Sequence, residues 1–131
     1  MKIAVDTNVL VRAVARDDFE QYQAATGIMG RAETLAIAVP CLCELVWVLH
    51  TVYRFRPADI SRAIRVLIAA DNVETNRSAV EAGLEMLEAG GDFADGVIAY
   101  EGRWLGGKTF VSFDAKAVEL LKAQGVAASL P

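Results

Sequence analysis

Sulfur chemistry has little to work with in this sequence. There are two cysteines, Cys41 and Cys43, two positions apart on a stretch that reads as helix. They point in different directions and suit neither a disulfide nor a zinc knuckle. They are expected to be reduced, half-buried packing residues. Imidazole is scarcer still. His50 is the only histidine, and it reads as structural or solvent-facing rather than as a general base. No apolar run approaches a membrane span. No signal peptide develops, because Asp6 and Asn8 interrupt the N-terminal stretch before an apolar region forms. Both absences point to the cytoplasm and to no membrane partner. Positive charge is not in excess either, with 13 Lys+Arg against 17 Asp+Glu and a formal net charge of −4. That argues against indiscriminate coating of nucleic acid. It does not exclude a nuclease, because a bound divalent ion offsets part of an acidic site. Linkers, internal repeats and low-complexity tracts are missing too, so residues 1–131 read as one domain.

What is present is a folded α/β pattern. Hydrophobic residues make up 54% and charged residues 23% of the chain, enough to build a core. Ile3 to Val5, Leu35 to Val39 and Thr109 to Phe113 read as short buried strands. Asn72 to Thr75 reads as a shorter extended piece, and Val126 to Ala128 as a short tail. Between them, apolar residues recur at helical spacing. The helices are expected from Val9 onward, over Phe19 to Ala32 behind Asp17 or Asp18, over Leu42 to Tyr53, and over Ala58 to Ala69 behind Pro57. Three more are expected over Ser78 to Glu88, Asp92 to Leu105 and Ala115 to Ala123. Alternating strands and amphipathic helices predict a central, mostly parallel β-sheet flanked by α-helices on both faces.

The acids fall at one kind of position in that pattern. Asp6 ends the first strand and Asp114 ends the third. Glu44 opens the helix after the second, and Asp92 and Asp95 lie in the first turn of another helix. Strand carboxyl ends and the starts of following helices share one edge of an α/β sheet. Acids gathered there repel one another, and a hard cation such as Mg²⁺ or Mn²⁺ relieves the repulsion. Each acid also has a plainer reading. Asp6, Asp92 and Asp114 could cap helices, and Glu44 could balance a helix dipole.

Four motifs in order carry a family resemblance. They are VDTNVLVRA with Asp6, PCLCELVWVLHTVY with Glu44, DFADGVIAY with Asp95 and the nearby Asp92, and TFVSFD with Asp114 and its hydroxyl companion Ser112. Together they span nearly the whole chain. The sequence resembles the PIN-domain family, and within it the VapC-like ribonuclease toxins of type II toxin–antitoxin pairs. One departure is Gly96, where a helix former such as Ala is expected; Gly there is expected to loosen the helix near Asp95.

The resemblance implies a metal-dependent endoribonuclease that hydrolyses RNA phosphodiester bonds with metal-activated water. It implies that Asp6, Glu44, Asp95 and Asp114 hold Mg²⁺ or Mn²⁺. Thr7, Asn8 and Ser112 would be donors that fix the carboxylates, with Asp92 as a supplementary acid. It also implies a homodimer and a cognate antitoxin, with operator DNA reached only through that antitoxin. Surplus apolar residues near Trp47, Val48 and Trp104 lend the partner reading independent support. Trp47 and Trp104 themselves read as core or interface anchors. A binding module within an antitoxin–operator complex, with weak or no nuclease activity, is the alternative. A phosphatase or phosphoaspartate receiver is disfavoured, because no DxD motif follows the first strand and no suitably placed Lys motif appears. Lys116 reads as a solvated helix position. Arg12, Arg16, Arg54, Arg56 and Arg103 read as scattered surface cations before they read as a rim for RNA.

Overall fold

Three short stretches pair as parallel strands: β1 (Lys2–Ala4), β2 (Thr34–Ala36) and β3 (Val73–Glu74), in the order β1-β2-β3. The register sets Ile3 beside Leu35 and Leu35 beside Val73. Leu35 and Val73 are buried. The computed structural model describes residues 1–131, and in it the chain forms two compact units, Met1–Asn76 and Arg77–Pro131. No helix is long and apolar enough to cross a membrane.

In the first unit, parallel pairing requires helical crossovers. These are α1 (Thr7–Ala15), α2 (Phe19–Arg31), α3 (Val39–Thr51) and α4 (Pro57–Ala69). The faces of α3 and α4 turned to the core carry Leu42, Leu45, Leu49, Ile60 and Ile64, all fully buried, whereas Val52 at the end of α3 is exposed. Asp18, not Asp17, caps α2 by accepting from the Gln21 amide at 3.0 Å. Phe19, the first residue of α2, is exposed.

Two boundaries differ from expectation. The second strand stops at Ala36 rather than Val39, and α3 begins at Val39 with Pro40 inside its first turn. Proline lacks an N–H, but first-turn amides have no helical partner to lose, so Pro40 opens the helix rather than closing the strand. The stretch Thr109 to Phe113 likewise contributes only Phe110–Val111 as strand.

Asn72 ties the first unit together across sequence. Its Nδ2 donates to the Met29 and Ala32 carbonyls, each at 2.9 Å, which closes the end of α2 against the approach to β3. Orphaned helix-end carbonyls need such donors. Asn72→Ala is expected to cost about 1–3 kcal/mol. A lower urea midpoint with an unchanged slope would show it; an unchanged midpoint would mean that solvent replaces the amide at no cost.

The second unit contains α5 (Arg77–Glu88), α6 (Phe93–Trp104), β4 (Phe110–Val111), α7 (Ala115–Ala123) and β5 (Ala128–Ser129), with β4 and β5 parallel. Gly90, at φ +95, lets the chain leave α5. Helices α5 and α6 pack closely because glycines remove side chains from their contact. A Cβ on Gly83 would lie 2.6 Å from the Phe93 ring. A Cβ on Gly96 would strike the backbone carbonyl of Ala82 and sit 2.9 Å from Met86 Cγ. Gly96 is therefore a packing requirement and not a loosened turn, which corrects the expectation drawn from helix propensity. Met86 also packs with Ala99, Ala117, Val118, Leu121 and Ala128.

Candidate functional site

In the first unit, Asp6 follows β1 and caps α1. Its backbone is extended (φ −81, ψ 162), and its Oδ1 accepts from the Thr7 amide at 2.7 Å. Thr7 is buried, and its Oγ1 donates to Glu44 Oε2 at 3.0 Å. Glu44 was expected in the first turn of its helix. Because α3 begins at Val39, that turn holds no acid and Glu44 lies one turn deeper. The dipole falls off within the first turn, so the Thr7 hydroxyl is the group that orients this carboxylate. Asp6, Asn8 and Glu44 are exposed. Neither acid has a cationic partner. Cys41 and Cys43 form no disulfide and are half-buried, as expected, and Cys41 Sγ lies 3.7 Å from the Val5 carbonyl.

The second unit gathers three more acids. Asp92 caps α6, accepting from the Ala94 amide at 3.1 Å. Asp95 follows in the first turn of α6 and is half-buried. Asp114 caps α7, accepting from the Ala117 amide at 3.1 Å. Ser112 is Asp114's neighbour as expected, though its Oγ accepts from the Asp114 backbone amide at 2.9 Å. It thus fixes the turn that aims the acid. Burial, then the charges of Asp92 and Asp114, hold the Asp95 carboxyl above the usual carboxylate range. No cation pairs with any of the three. Asp92 and Asp114 each cap through one carboxylate oxygen, which leaves the other oxygen of each open. In neither unit do three acidic, His or Cys side chains close around one point where an ion would sit.

Other candidates fall away from chemistry. His50 is exposed in the last turn of α3. Trp47 and Trp104 are 64% and 78% exposed, so neither anchors a core. Lys116 is exposed, as expected. Three of the five arginines are already engaged: Arg12 with Asp17 at 3.0 Å, Arg56 with Asp59 at 3.3 Å, and Arg16 over the Tyr22 ring at 5.1 Å. Spacing gave no sign of the Asp17 cluster. There, Tyr53 donates its hydroxyl to Asp17 Oδ2 at 2.8 Å, across 36 residues of sequence. That hydrogen bond, helped by Arg12, holds the Asp17 carboxyl below its ordinary value; the same bond, with burial and the Asp17 charge, pushes the Tyr53 phenol up.

No curated protein matches the chain. A family model, the PIN domain, matches residues 3–121, a span that contains Asp6, Glu44, Asp92, Asp95 and Asp114. PIN domains are generally nucleases. With nine-tenths of its length matched and its acids at strand ends and helix starts, the chain belongs to the PIN domain family, and that membership supports a nuclease function.

Proposed function

We propose that this protein is a Mg²⁺- or Mn²⁺-dependent endoribonuclease, the VapC-like toxin of a toxin–antitoxin pair. The observation that carries the reading is Asp95, half-buried among like charges with no cation to offset them. Uncompensated carboxylates with oxygen as the only donor suit a hard divalent ion. Asp6, Glu44, Asp95 and Asp114 are the proposed ligands, direct or through water. When bound, the ion would lower the pKa of water and steady negative charge on the phosphate. The chain's own residues do the positioning. Thr7 holds Glu44 through its hydroxyl, Ser112 fixes the Asp114 turn, and Asp92 adds to the field that attracts the cation. Asn8 is placed with them by its motif.

The partner reading is a homodimer bound by a cognate antitoxin. Trp47 in the first unit, and Trp104, Leu105 and Phe113 in the second, are exposed and support it, since large apolar side chains open to solvent suit a partner site. In the first unit, a cavity of about 570 Å³ lined by Ala13, Val14, Met29, Val66 and Leu67 together with Arg16 and Arg62 suits an amphipathic antitoxin segment.

The test is RNA cleavage by the purified chain in EDTA, Mg²⁺ and Mn²⁺. Cleavage is expected only with a divalent ion. It is expected to be lost in Asp6→Asn, retained in His50→Ala, and suppressed by the antitoxin. Equal cutting in EDTA, or an inactive His50→Ala beside an active Asp6→Asn, would refute the metal mechanism. A monomer by light scattering across the micromolar range would refute the dimer alone.

A further inference from the structure

We propose that Asp17, Tyr53 and Arg12 are positioning residues for the metal site proposed above. They form a second link between α1 and α3, which fixes how Asp6 is aimed beside Glu44. The inference rests on the metal-dependent reading for what those two acids hold.

The first link is Thr7. It opens α1, and its hydroxyl donates to Glu44 on α3 at 3.0 Å. The second link lies past the other end of α1. Arg16, at φ 57, ends that helix and turns the chain, and Asp17 lies back against Arg12. Arg12 donates to Asp17 Oδ1 at 3.0 Å, and Tyr53 donates to Asp17 Oδ2 at 2.8 Å. Tyr53 stands just past the end of α3. Asp18 caps α2, which leaves the Asp17 carboxylate for these two bonds.

The two links have matching spans. Thr7 to Asp17 is ten residues along the chain, and Glu44 to Tyr53 is nine. Helices α1 and α3 therefore run side by side in the same direction, tied at two points roughly 14 Å apart at the helical rise.

One link alone does not fix the site. Leu10 and Val11 bury one face of α1, but apolar packing is non-directional and lets a helix tilt and slide. Thr7 is a single attachment at one end. The Asp6 carboxylate moves with α1, because its Oδ1 accepts from the Thr7 amide. A working metal site holds its groups within about 0.5 Å and 10–20°. A second attachment a helix length away removes the tilt that one attachment permits. Arg12 and Asp17 are partly exposed, and exposed ion pairs add little stability. The worth of this link is geometric.

The experiment is calorimetric titration of the full chain with Mn²⁺, in the wild type, Tyr53→Phe, Asp17→Ala and Asn72→Ala. Tyr53→Phe changes no charge, so it leaves the field at the acids as it was. It is expected to bind Mn²⁺ at least about threefold more weakly. Adding Tyr53→Phe to Asp17→Ala should weaken binding no further, since both break one link. Asn72→Ala loses bonds to the end of α2 instead, and is expected to bind Mn²⁺ like the wild type despite its lower stability. Hydrogen exchange in EDTA reads the link without metal. The Thr7 and Val9 amides, which donate to Asp6, should exchange faster in Tyr53→Phe. Unchanged Mn²⁺ affinity or unchanged exchange in Tyr53→Phe, or an equal loss of affinity in Asn72→Ala, would overturn the assignment. A wild type that binds no Mn²⁺ would bring down the metal reading and the positioning role with it. A wild type that binds, beside an unaffected Tyr53→Phe, loses the link and keeps the metal site.

Discussion

Asp95→Asn is expected to melt higher than the wild type at neutral pH in EDTA, and to cut RNA at least about a hundredfold more slowly. Both effects come from removing the same carboxylate. Burial and the charges of Asp92 and Asp114 raise the pKa of Asp95 in the folded state. A carboxyl raised on folding is easier to ionise in the unfolded chain, so its charge opposes folding. The opposition is absent below the unfolded pKa, where both states hold the proton. It grows as pH rises through the folded pKa and is fully present at pH 7. Asn has the same shape without the charge, so the variant gains most at neutral pH, and its advantage disappears near pH 3. Asp95 also sits in the first turn of α6, where the helix dipole favours a negative charge. The raised pKa shows that burial and repulsion outweigh that benefit.

Loss of activity follows from the proposed metal role. Changing an outer partner of a metal ligand costs about 10–100-fold, and removing a ligand costs at least as much. Mn²⁺ should raise the melting temperature of the wild type by mass action and that of the variant less. Differential scanning calorimetry at pH 7 and pH 3, with and without Mn²⁺, separates the contributions. A variant that melts lower at pH 7 would show that Asp95 is stabilising and that the cluster carries no strain. A variant that keeps full cleavage would remove Asp95 from the site.

The sequence made the alternation of strands and helices legible because each element has its own short-range signal. Apolar runs, capping acids and the Gly90-Gly91 stop lie within a few residues of what they govern, and α2, α4, α5 and α6 fall close to where those signals put them. The acids were legible for the same reason: Asp6, Asp92 and Asp114 take ordinary capping positions that the pattern marks. Pairings across long separations were not. Thr7 to Glu44 spans 37 residues, and no periodicity announces that a buried threonine will meet an exposed glutamate. The α3 boundary was misplaced because Pro40 is compatible both with the end of a strand and with the first turn of a helix. Trp47 and Trp104 read as core or interface anchors by residue type, and only their exposure removes the core half of that reading, because type says nothing about which face of a helix remains uncovered.

Gly96 shows that limit most sharply, and the prediction from it has the opposite sign to the one sequence suggests. On propensity alone, Gly→Ala inside a helix gains about 1 kcal/mol. In α6 that gain is outweighed. The new methyl would meet the Ala82 carbonyl of α5 and Met86 Cγ at 2.9 Å. The methionine can change rotamer, but the carbonyl belongs to the backbone of a packed helix and yields only if the helices separate. Overpacking of this kind costs about 1–3 kcal/mol and occasionally more, so Gly96→Ala is expected to be destabilised by about 1–2 kcal/mol after the propensity gain. Gly102 supplies the control on the same helix, because a Cβ there meets nothing within 4 Å. Gly102→Ala should therefore be stabilised by up to about 1 kcal/mol. Urea denaturation of the two variants side by side reads the difference, and equal midpoints would show that α5 and α6 separate at no cost. A lower midpoint for Gly96→Ala should also bring slower RNA cleavage, since a shifted α6 carries Asp95 with it. Gly102→Ala should cleave at the wild-type rate, which ties any loss of activity to the packing of α6 against α5 and not to alanine as such.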